Sequence, residues 1–172
     1  AAEAFRKQGF AADKLLVNPY GVALDRFQPS PPGVGRPRIL FAGRVGPRKG
    51  VPHLIEAFRP LAGDAELHLV GPLEAGMASW LAKEDLKGVA LRGAVPGHAM
   101  AGEFAAAHLF CLPSLEEGMA LVLPQAMAAG LAIVATPESG AGDLIEDGRE
   151  GRLVPAGDAG ALGDALAGLV GD

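Results

Sequence analysis

The sequence predicts a three-layer α/β domain built on a parallel sheet of about six strands. Three observations support this prediction. Short apolar runs recur along the 172 residues, and most are apolar at every position, which is typical of parallel strands covered on both faces. Segments with apolar residues at helical spacing lie between these runs. Strand and helix therefore alternate, as in doubly wound domains that bind ligands beyond the carboxyl ends of their strands.

The predicted elements follow one another without an internal repeat. Strands are predicted at residues 15–17, 39–41, 67–70, 89–91, 109–112 and 132–135. Helices are predicted around three groups of apolar residues: Leu54, Ile55, Phe58 and Leu61; Met100, Phe104 and Ala107; and Leu162, Leu166 and Leu169. Residues 1–9 look like the middle of a helix and lack the apolar core of a signal peptide. The Pro- and Gly-rich residues 28–37 predict a loop, and we interpret the whole chain, 1–172, as one domain.

A further predicted helix follows the strand at 109–112. Residues 119–130 are almost wholly apolar except for Gln125, and Pro124 is compatible only with the first turn of a helix. The helix should begin near Leu121, and the amides of residues 119–122 should be free to bind an anion. The preceding carboxylate, Glu117, would repel a phosphate unless it faced a neutral, hydroxyl-rich part of the same ligand. A phosphate beside a polyol indicates a sugar nucleotide.

Composition excludes several classes of function. A net charge of −5 argues against a nucleic-acid surface and against docking to anionic membranes. No apolar run reaches the length of about 18 residues that a membrane-spanning helix needs. The single cysteine, Cys111, rules out an internal disulfide, fits a reducing cytoplasm, and lies in an apolar strand typical of a core. The four histidines are scattered and do not pair with cysteine or acidic residues at ligand spacing, so neither a metal nor another cofactor is expected.

A basic, glycine-rich turn follows the strand at 39–41. It runs from Gly43 to Gly50 and contains Arg44, Arg48 and Lys49. Cations in such a turn suit a diphosphate, because the glycines admit close approach and the cations stabilise its charge. The turn is neither a P-loop, since no Ser or Thr follows the lysine in frame, nor a dinucleotide fingerprint. A solvated basic turn is the alternative that the local sequence leaves open.

Four motifs, in chain order, resemble those of the retaining group 1 glycosyltransferases with the GT-B fold. The family's signature has a Glu, seven residues and a second Glu; here Glu117, Gly118 and residues 126–130 match it, while Gln125, Met119 and Ala120 replace a usual Glu, Phe and Gly. The other three matches are Asn18–Val22 with Phe27 and Pro29, Gly43-Arg44 with Lys49-Gly50, and Asp147-Gly148 with Gly151 and Leu153–Pro155. Together they cover nearly the whole chain.

The resemblance implies a Rossmann-like, donor-binding C-terminal half of a GT-B enzyme. That enzyme would transfer a hexose-type sugar from a nucleoside diphosphate donor, with retention and without a metal, in carbohydrate biosynthesis in the cytoplasm. An N-terminal acceptor-binding domain is expected as partner and as the place of any membrane contact. A stand-alone nucleotide-binding module without turnover is the alternative, supported by the substitution at Gln125.

The resemblance also assigns roles to individual residues. It implies that Glu117, Arg44 and Lys49 are catalytic. Arg44 and Lys49 would bind the diphosphate, and Glu117 would bind donor-sugar hydroxyls and stabilise charge near the anomeric carbon, with a charge at the helix N-terminus as the alternative for Glu117. Gln125 would occupy the ribose position, or else be a satisfied buried amide. The remaining donor-binding candidates are glycines and apolar residues beside the strand ends: Gly43, Gly71, Gly93, Val95, Gly118, Met119, Ala120, Leu121 and Val122. For Gly93 and Val95, packing on the nucleobase and a simple turn are equal alternatives.

Overall fold

A computed structural model of the chain describes residues 2–16, 18, 21–31 and 35–171. Six parallel strands form one sheet in the order β3-β2-β1-β4-β5-β6. The strands are β1 Arg38–Ala42, β2 Glu66–Val70, β3 Val89–Gly93, β4 Leu109–Leu112, β5 Ala132–Ala135 and β6 Gly151–Leu153. The direction in which the sheet grows reverses between β1 and β4, and ligands of doubly wound domains bind at such a switch point.

Helices cover both faces of this sheet. In chain order the helices are α1 Ala2–Lys7, whose described side chains are exposed, α2 Val51–Phe58, α3 Met77–Leu81, α4 Met100–Ala105, α5 Val122–Ala128 and α6 Ala159–Val170. All four residues of β4 are buried, which requires cover on both faces because successive side chains point to opposite sides. On one side Phe104 of α4 contacts Phe110 of β4 and Phe27, with ring centroids 5.6 Å apart in each pair. The predicted three-layer, Rossmann-like α/β fold is confirmed.

Two predictions about the strands are wrong. Leu15 and Leu16 belong to no strand, and Leu16 is 93% exposed; Val17, the third residue of that predicted strand, lies outside the described residues. The sixth strand is instead β6, whose alternation of half-buried and exposed residues did not suggest a buried strand. Here Gly151 is needed, since a Cβ on it would lie 2.7 Å from the Ile133 carbonyl oxygen on the paired strand β5.

A smaller difference from the prediction concerns a short helix. Helix α3 was not predicted because its five residues are too short to show a helical period, although Met77 and Leu81 are buried.

The outer edge of β6 is covered by the turn that precedes it. In that turn the Asp147 carboxylate accepts from the Leu153 amide at 2.9 Å, and the Gly148 amide donates to the Gly151 carbonyl at 2.8 Å.

The single cysteine lies in the core, as its apolar strand predicted. Cys111 is fully buried in β4, and burial raises the pKa of its thiol far above the ordinary value. None of the helices in the described ranges combines the length and apolarity needed to cross a bilayer. Phe27, from the motif at the chain's beginning, is buried against Phe104; Pro19 and Tyr20 of the same motif lie outside the described residues.

Candidate functional site

The loops that leave β1, β2 and β3 are joined to one another by backbone hydrogen bonds. The Gly43 amide donates to the Val70 carbonyl at 2.9 Å, and the Gly71 amide donates to the Gly93 carbonyl at 2.8 Å. These glycines are three of the predicted donor-binding residues, and the structure places them on neighbouring strand ends. They form a stretch of carboxyl edge without side chains, which a ligand can approach closely.

Gly71 cannot be replaced without moving this edge. Its φ is +143°, and a Cβ there would lie 1.8 Å from the Gly43 carbonyl oxygen. A side chain of the L configuration rarely adopts such a φ. The close approach of the two loops therefore depends on glycine at position 71.

A second contact joins the basic turn after β1 to the loop after β4. The Leu115 amide donates to the Arg48 carbonyl at 2.9 Å. Gly50, with φ +70°, lies so near Pro113 that a Cβ would stand 1.9 Å from the Pro113 carbonyl oxygen. The loops from the two strands on either side of the switch point are thus held together.

This contact brings Lys49 and Glu117 into an ion pair, although 68 positions separate them in sequence. The Lys49 ammonium donates to Oε1 of Glu117, and the other carboxylate oxygen, Oε2, accepts from the Ser114 hydroxyl at 3.1 Å. The side chains of Lys49 and Glu117 are 13% and 17% exposed. Two predicted site residues therefore meet in a largely desolvated pair, where charge interactions are stronger than at an open surface.

Arg44 and Arg48 differ from Lys49 in their surroundings. Both are exposed, and within the described residues neither makes an ion pair or a side-chain hydrogen bond. Arg44 directly follows Gly43 at the end of β1, so its guanidinium is available to an anion at this edge. Arg48 contributes its backbone carbonyl to the contact with Leu115.

Three buried hydroxyls beside the ion pair were not predicted. Ser114, Thr136 and Ser139 are each at most 1% exposed. The Thr136 hydroxyl donates to the Ser114 carbonyl, and the Ser139 hydroxyl donates to the Thr136 carbonyl, both at 2.6 Å. The signal that could have found Ser114 and Thr136 is a hydroxyl residue within two positions of the end of an apolar strand, since Ser114 follows β4 and Thr136 follows β5.

The N-terminus of α5 agrees only in part with prediction. The helix begins at Val122 with Leu121 as its cap, and Pro124 lies in its first turn, as expected. The prediction that all amides of residues 119–122 are free is wrong, because the Ala120 amide donates to the Ser139 carbonyl at 3.2 Å. The Ala120 residue is also buried. Within the described ranges, the amides of Met119 and Leu121 donate to no acceptor.

Gln125, Val95, Gly93 and Gly118 differ in how far they are buried. Gln125 is half-buried in α5, and its side chain makes no hydrogen bond to the residues that the structure describes. The interpretation of Gln125 as a satisfied buried amide thus receives no support. Val95 is half-buried against the core, whereas Gly93 and Gly118 are exposed.

Two further features of the described surface concern metal ligands and a cavity away from the predicted site. In the described part of the chain, no three His, Cys, Asp or Glu side chains lie close enough to hold a metal ion. A surface cavity of about 410 Å³ lies between β6 and α6, lined by residues such as Arg152, Pro155 and Asp164. None of the predicted site residues lines it.

Comparisons with known proteins identify relatives of this chain. The sequence profile of the family described as "Glycosyl transferases group 1" matches residues 36–172. A phosphatidyl-myo-inositol mannosyltransferase of Mycobacterium leprae is 32% identical, over 98% of this chain and 47% of that protein. The chain thus spans about half the length of the curated relatives it matches.

Solved structures show the same fold. HepE of Anabaena, in complex with UDP and glucose, superimposes with a TM-score of 0.83 at 22% identity, over 99% of this chain and 51% of that one. The C-terminal domain of a group 1 glycosyltransferase family protein from Francisella tularensis has a TM-score of 0.71 at 21% identity. In that case the match covers 88% of this chain and 89% of the other.

Proposed function

The chain belongs to the group 1 glycosyltransferases, and from this membership we propose that it binds the nucleoside diphosphate-sugar donor of a retaining enzyme. The observation that carries the proposal is the Lys49–Glu117 pair at the carboxyl edge of the sheet. It places a cation and a carboxylate side by side at the switch point. A ligand with a diphosphate next to a polyol would satisfy both groups.

The diphosphate would lie along the basic turn after β1. Lys49 would turn from Glu117 to the phosphate oxygens, and the exposed guanidinium of Arg44 would contact them from the rim. Charge-assisted hydrogen bonds of this kind stabilise a departing diphosphate in the transition state. The amides of Met119 and Leu121, with the backbone of Gly118, are further candidates for this contact, and Val122 follows at the start of α5. Gly43 and Gly71, whose amides already donate to strand carbonyls, would contribute room for close approach.

The sugar and the nucleoside would extend to either side of the diphosphate. Glu117, relieved of Lys49, would accept hydrogen bonds from hydroxyls of a hexose-type sugar. Gln125 would face the ribose diol, since an amide can both donate to and accept from hydroxyls. Gly93 and Val95, beyond β3, would lie beside the base. No metal or other cofactor takes part in this scheme.

The complete enzyme would need a second domain. The donor-binding unit would work with an N-terminal domain that binds the acceptor, which would be a glycan, a lipid or a small molecule, and any membrane contact would belong to that domain. HepE, whose structure contains UDP and glucose, is about twice as long as this chain. We place the transfer in the cytoplasm, where sugar nucleotides would be available.

A stand-alone nucleotide-binding module is the second candidate. The observation that favours it is Gln125, which stands where the family's second Glu is usual and lacks the charge-assisted bond of a carboxylate. The gene sequence upstream of Ala1 separates the candidates. A Rossmann-like domain encoded there supports the enzyme, and its absence supports the module.

Calorimetric titration with UDP, GDP and ADP, each beside its nucleoside, tests the donor-binding proposal. We expect one diphosphate to bind at least about tenfold more tightly than its nucleoside, since one charge-assisted hydrogen bond is worth roughly 1.5–3 kcal/mol. Equal affinity for diphosphate and nucleoside would contradict the assignment of Arg44 and Lys49. Failure of all three diphosphates to bind would contradict donor binding itself.

A further inference from the structure

Glu117 is held by two partners of different kinds. Lys49 binds Oε1 through a long, flexible side chain, and Ser114 binds Oε2 through a short hydroxyl at 3.1 Å. Ser114 is 0% exposed, so its hydroxyl cannot turn to water. The two contacts thus differ in how easily they can be exchanged for contacts with a ligand.

Ser114 is itself fixed by the neighbouring strand. The Thr136 hydroxyl donates to the Ser114 carbonyl at 2.6 Å, and both residues are buried. They follow β4 and β5, which pair in register up to Leu112 and Ala135. The backbone of Ser114, at the start of the loop that carries Glu117, is therefore anchored to the residue that follows β5.

We propose that Ser114 is a positioning residue that keeps Glu117 aimed at the donor sugar when Lys49 binds the diphosphate. This inference rests on the proposed function. Within the described residues, Ser114 is the partner that Glu117 retains once Lys49 has moved away. With Oε2 held, Oε1 keeps its place and faces the sugar. Ser114 touches no ligand and acts through Glu117.

The test measures how much the sugar adds to the affinity of the nucleotide. The probes are UDP with UDP-glucose and GDP with GDP-mannose, titrated into the 172-residue chain. For Ser114→Ala we expect the affinity ratio of sugar nucleotide to diphosphate to fall about tenfold, a loss typical of a hydrogen bond to a charged group. The affinity for the diphosphate itself should stay the same.

Two further variants show whether the effect passes through Glu117. In Glu117→Gln the ratio should also fall, and Ser114→Ala added to Glu117→Gln should lower it no further. Ser139→Ala is the matched control, because its hydroxyl is equally buried but donates to the Thr136 carbonyl; its ratio should equal that of the wild type. Should Ser114→Ala not fold, Ser114→Cys, with a weak donor of similar size, is expected to lower the ratio in the same way.

The outcomes separate the inference from the function. If Glu117→Gln lowers the ratio and the Ser114 variants leave it unchanged, the role of Ser114 is wrong and that of Glu117 stands. An additive effect of the two substitutions, or an equal loss of diphosphate and sugar nucleotide in Ser114→Ala, also overturns the inference. If Glu117→Gln leaves the ratio unchanged, the role proposed for Glu117 falls, and the inference falls with it.

Discussion

Lys49 is singled out both by the sequence and by its position in the structure. A basic turn after a strand predicted an anion site, and the fold places the ammonium against Glu117 at the switch point. The signal for Ser114 was weaker, since its partner Thr136 is brought to it only by the pairing of β4 with β5. Contacts that depend on which strands are neighbours cannot be read from spacing along one chain.

Replacing the cations should weaken phosphate binding selectively. For Arg44→Ala and Lys49→Ala we expect the affinity for the nucleoside diphosphate to fall by roughly 1.5–3 kcal/mol each, because each change removes a charge-assisted contact. The affinity for the nucleoside should change far less. Calorimetry measures both. Arg48→Ala is the control, since Arg48 is exposed and contributes its backbone carbonyl; an equal loss for diphosphate and nucleoside in the Arg44 and Lys49 variants would refute their roles.

Gln125→Glu should tighten ribonucleotide binding or leave it unchanged. The site is half-buried and the amide has no hydrogen-bond partner in the described part of the chain, so a carboxylate there can reach a ribose diol. Charge-assisted hydrogen bonds are about twice as strong as neutral ones. Titration with the bound ribonucleotide and its 2′-deoxy analogue measures the effect. Loss of folding in this variant would instead mean that the site cannot solvate a charge.

His68 predicts a pH dependence of stability. Burial in β2, together with Arg38 and Arg92, lowers its pKa below the ordinary 6.5, while Glu66 at 3.4 Å opposes this shift. Between the lowered pKa and 6.5, the unfolded chain therefore binds a proton at His68 that the folded chain does not. The stability that depends on keeping His68 neutral is fully present above pH 6.5, and it is lost as the pH falls through the lowered pKa.

Urea unfolding between pH 5 and pH 7.5 measures this contribution. The free energy of unfolding should rise with pH across the window in the wild type, and His68→Gln should flatten the rise. The pKa of Glu66 is lowered chiefly by its hydrogen bond to His68, so Glu66 adds a slope of the same sign only below its ordinary value of 4.5. His98→Gln, which changes an exposed histidine, is the control. If the free energy of unfolding of His68→Gln rose with pH as steeply as that of the wild type, His68 would not be the source of the pH dependence.

At the scale of elements, the strands with continuous apolar runs were the predictable part. β1, β2, β4 and β5 lie where such runs occur, because strands buried on both faces need apolar residues at most positions. β3 also lies on an apolar run, although it is an edge strand whose last three residues are exposed. β6 escaped notice since it is three residues long and is defined by its pairing with β5. The run at Leu15–Leu16 forms no strand because Leu16 is exposed and lacks a surface to cover.

The junction of the loops after β1 and β2 should fail when Gly71 gains a side chain. Gly71→Ala places Cβ 1.8 Å from the Gly43 carbonyl oxygen at a φ of +143°. We expect a loss of about 2–4 kcal/mol in the free energy of unfolding, from strain and a steric clash, together with weaker nucleotide binding. Urea unfolding and calorimetry report the two effects.

Gly97→Ala is the matched substitution for this junction. Gly97 also lies in a loop beyond the strands, but its Cβ would meet open space and its φ lies outside the range that side chains avoid. Stability and nucleotide affinity should stay close to those of the wild type. If Gly71→Ala were as mild as Gly97→Ala, the close contact between the two loops would not be important for the site.

For the whole molecule, we expect nucleotide binding without sugar transfer. The chain spans about half the length of its curated relatives, and transfer requires donor and acceptor to be held in register, an effect worth roughly 7–11 kcal/mol. Transfer assays with several sugar nucleotides should show no turnover by these 172 residues alone. Addition of an upstream domain, if the gene encodes one, is the comparison. Efficient transfer by the chain on its own would refute the need for a second domain.

The turn that covers β6 makes the two edges of the sheet unequal in how they resist aggregation. Asp147 and Gly148 occupy backbone groups of β6 that a strand from another copy would need. At the opposite edge β3 pairs with β2 alone among the described strands, and Leu91 is 45% exposed beside the charged Arg92. Any growth of intermolecular sheet at high concentration should therefore start from β3, and backbone amides of β3 should be the first to gain protection from hydrogen exchange.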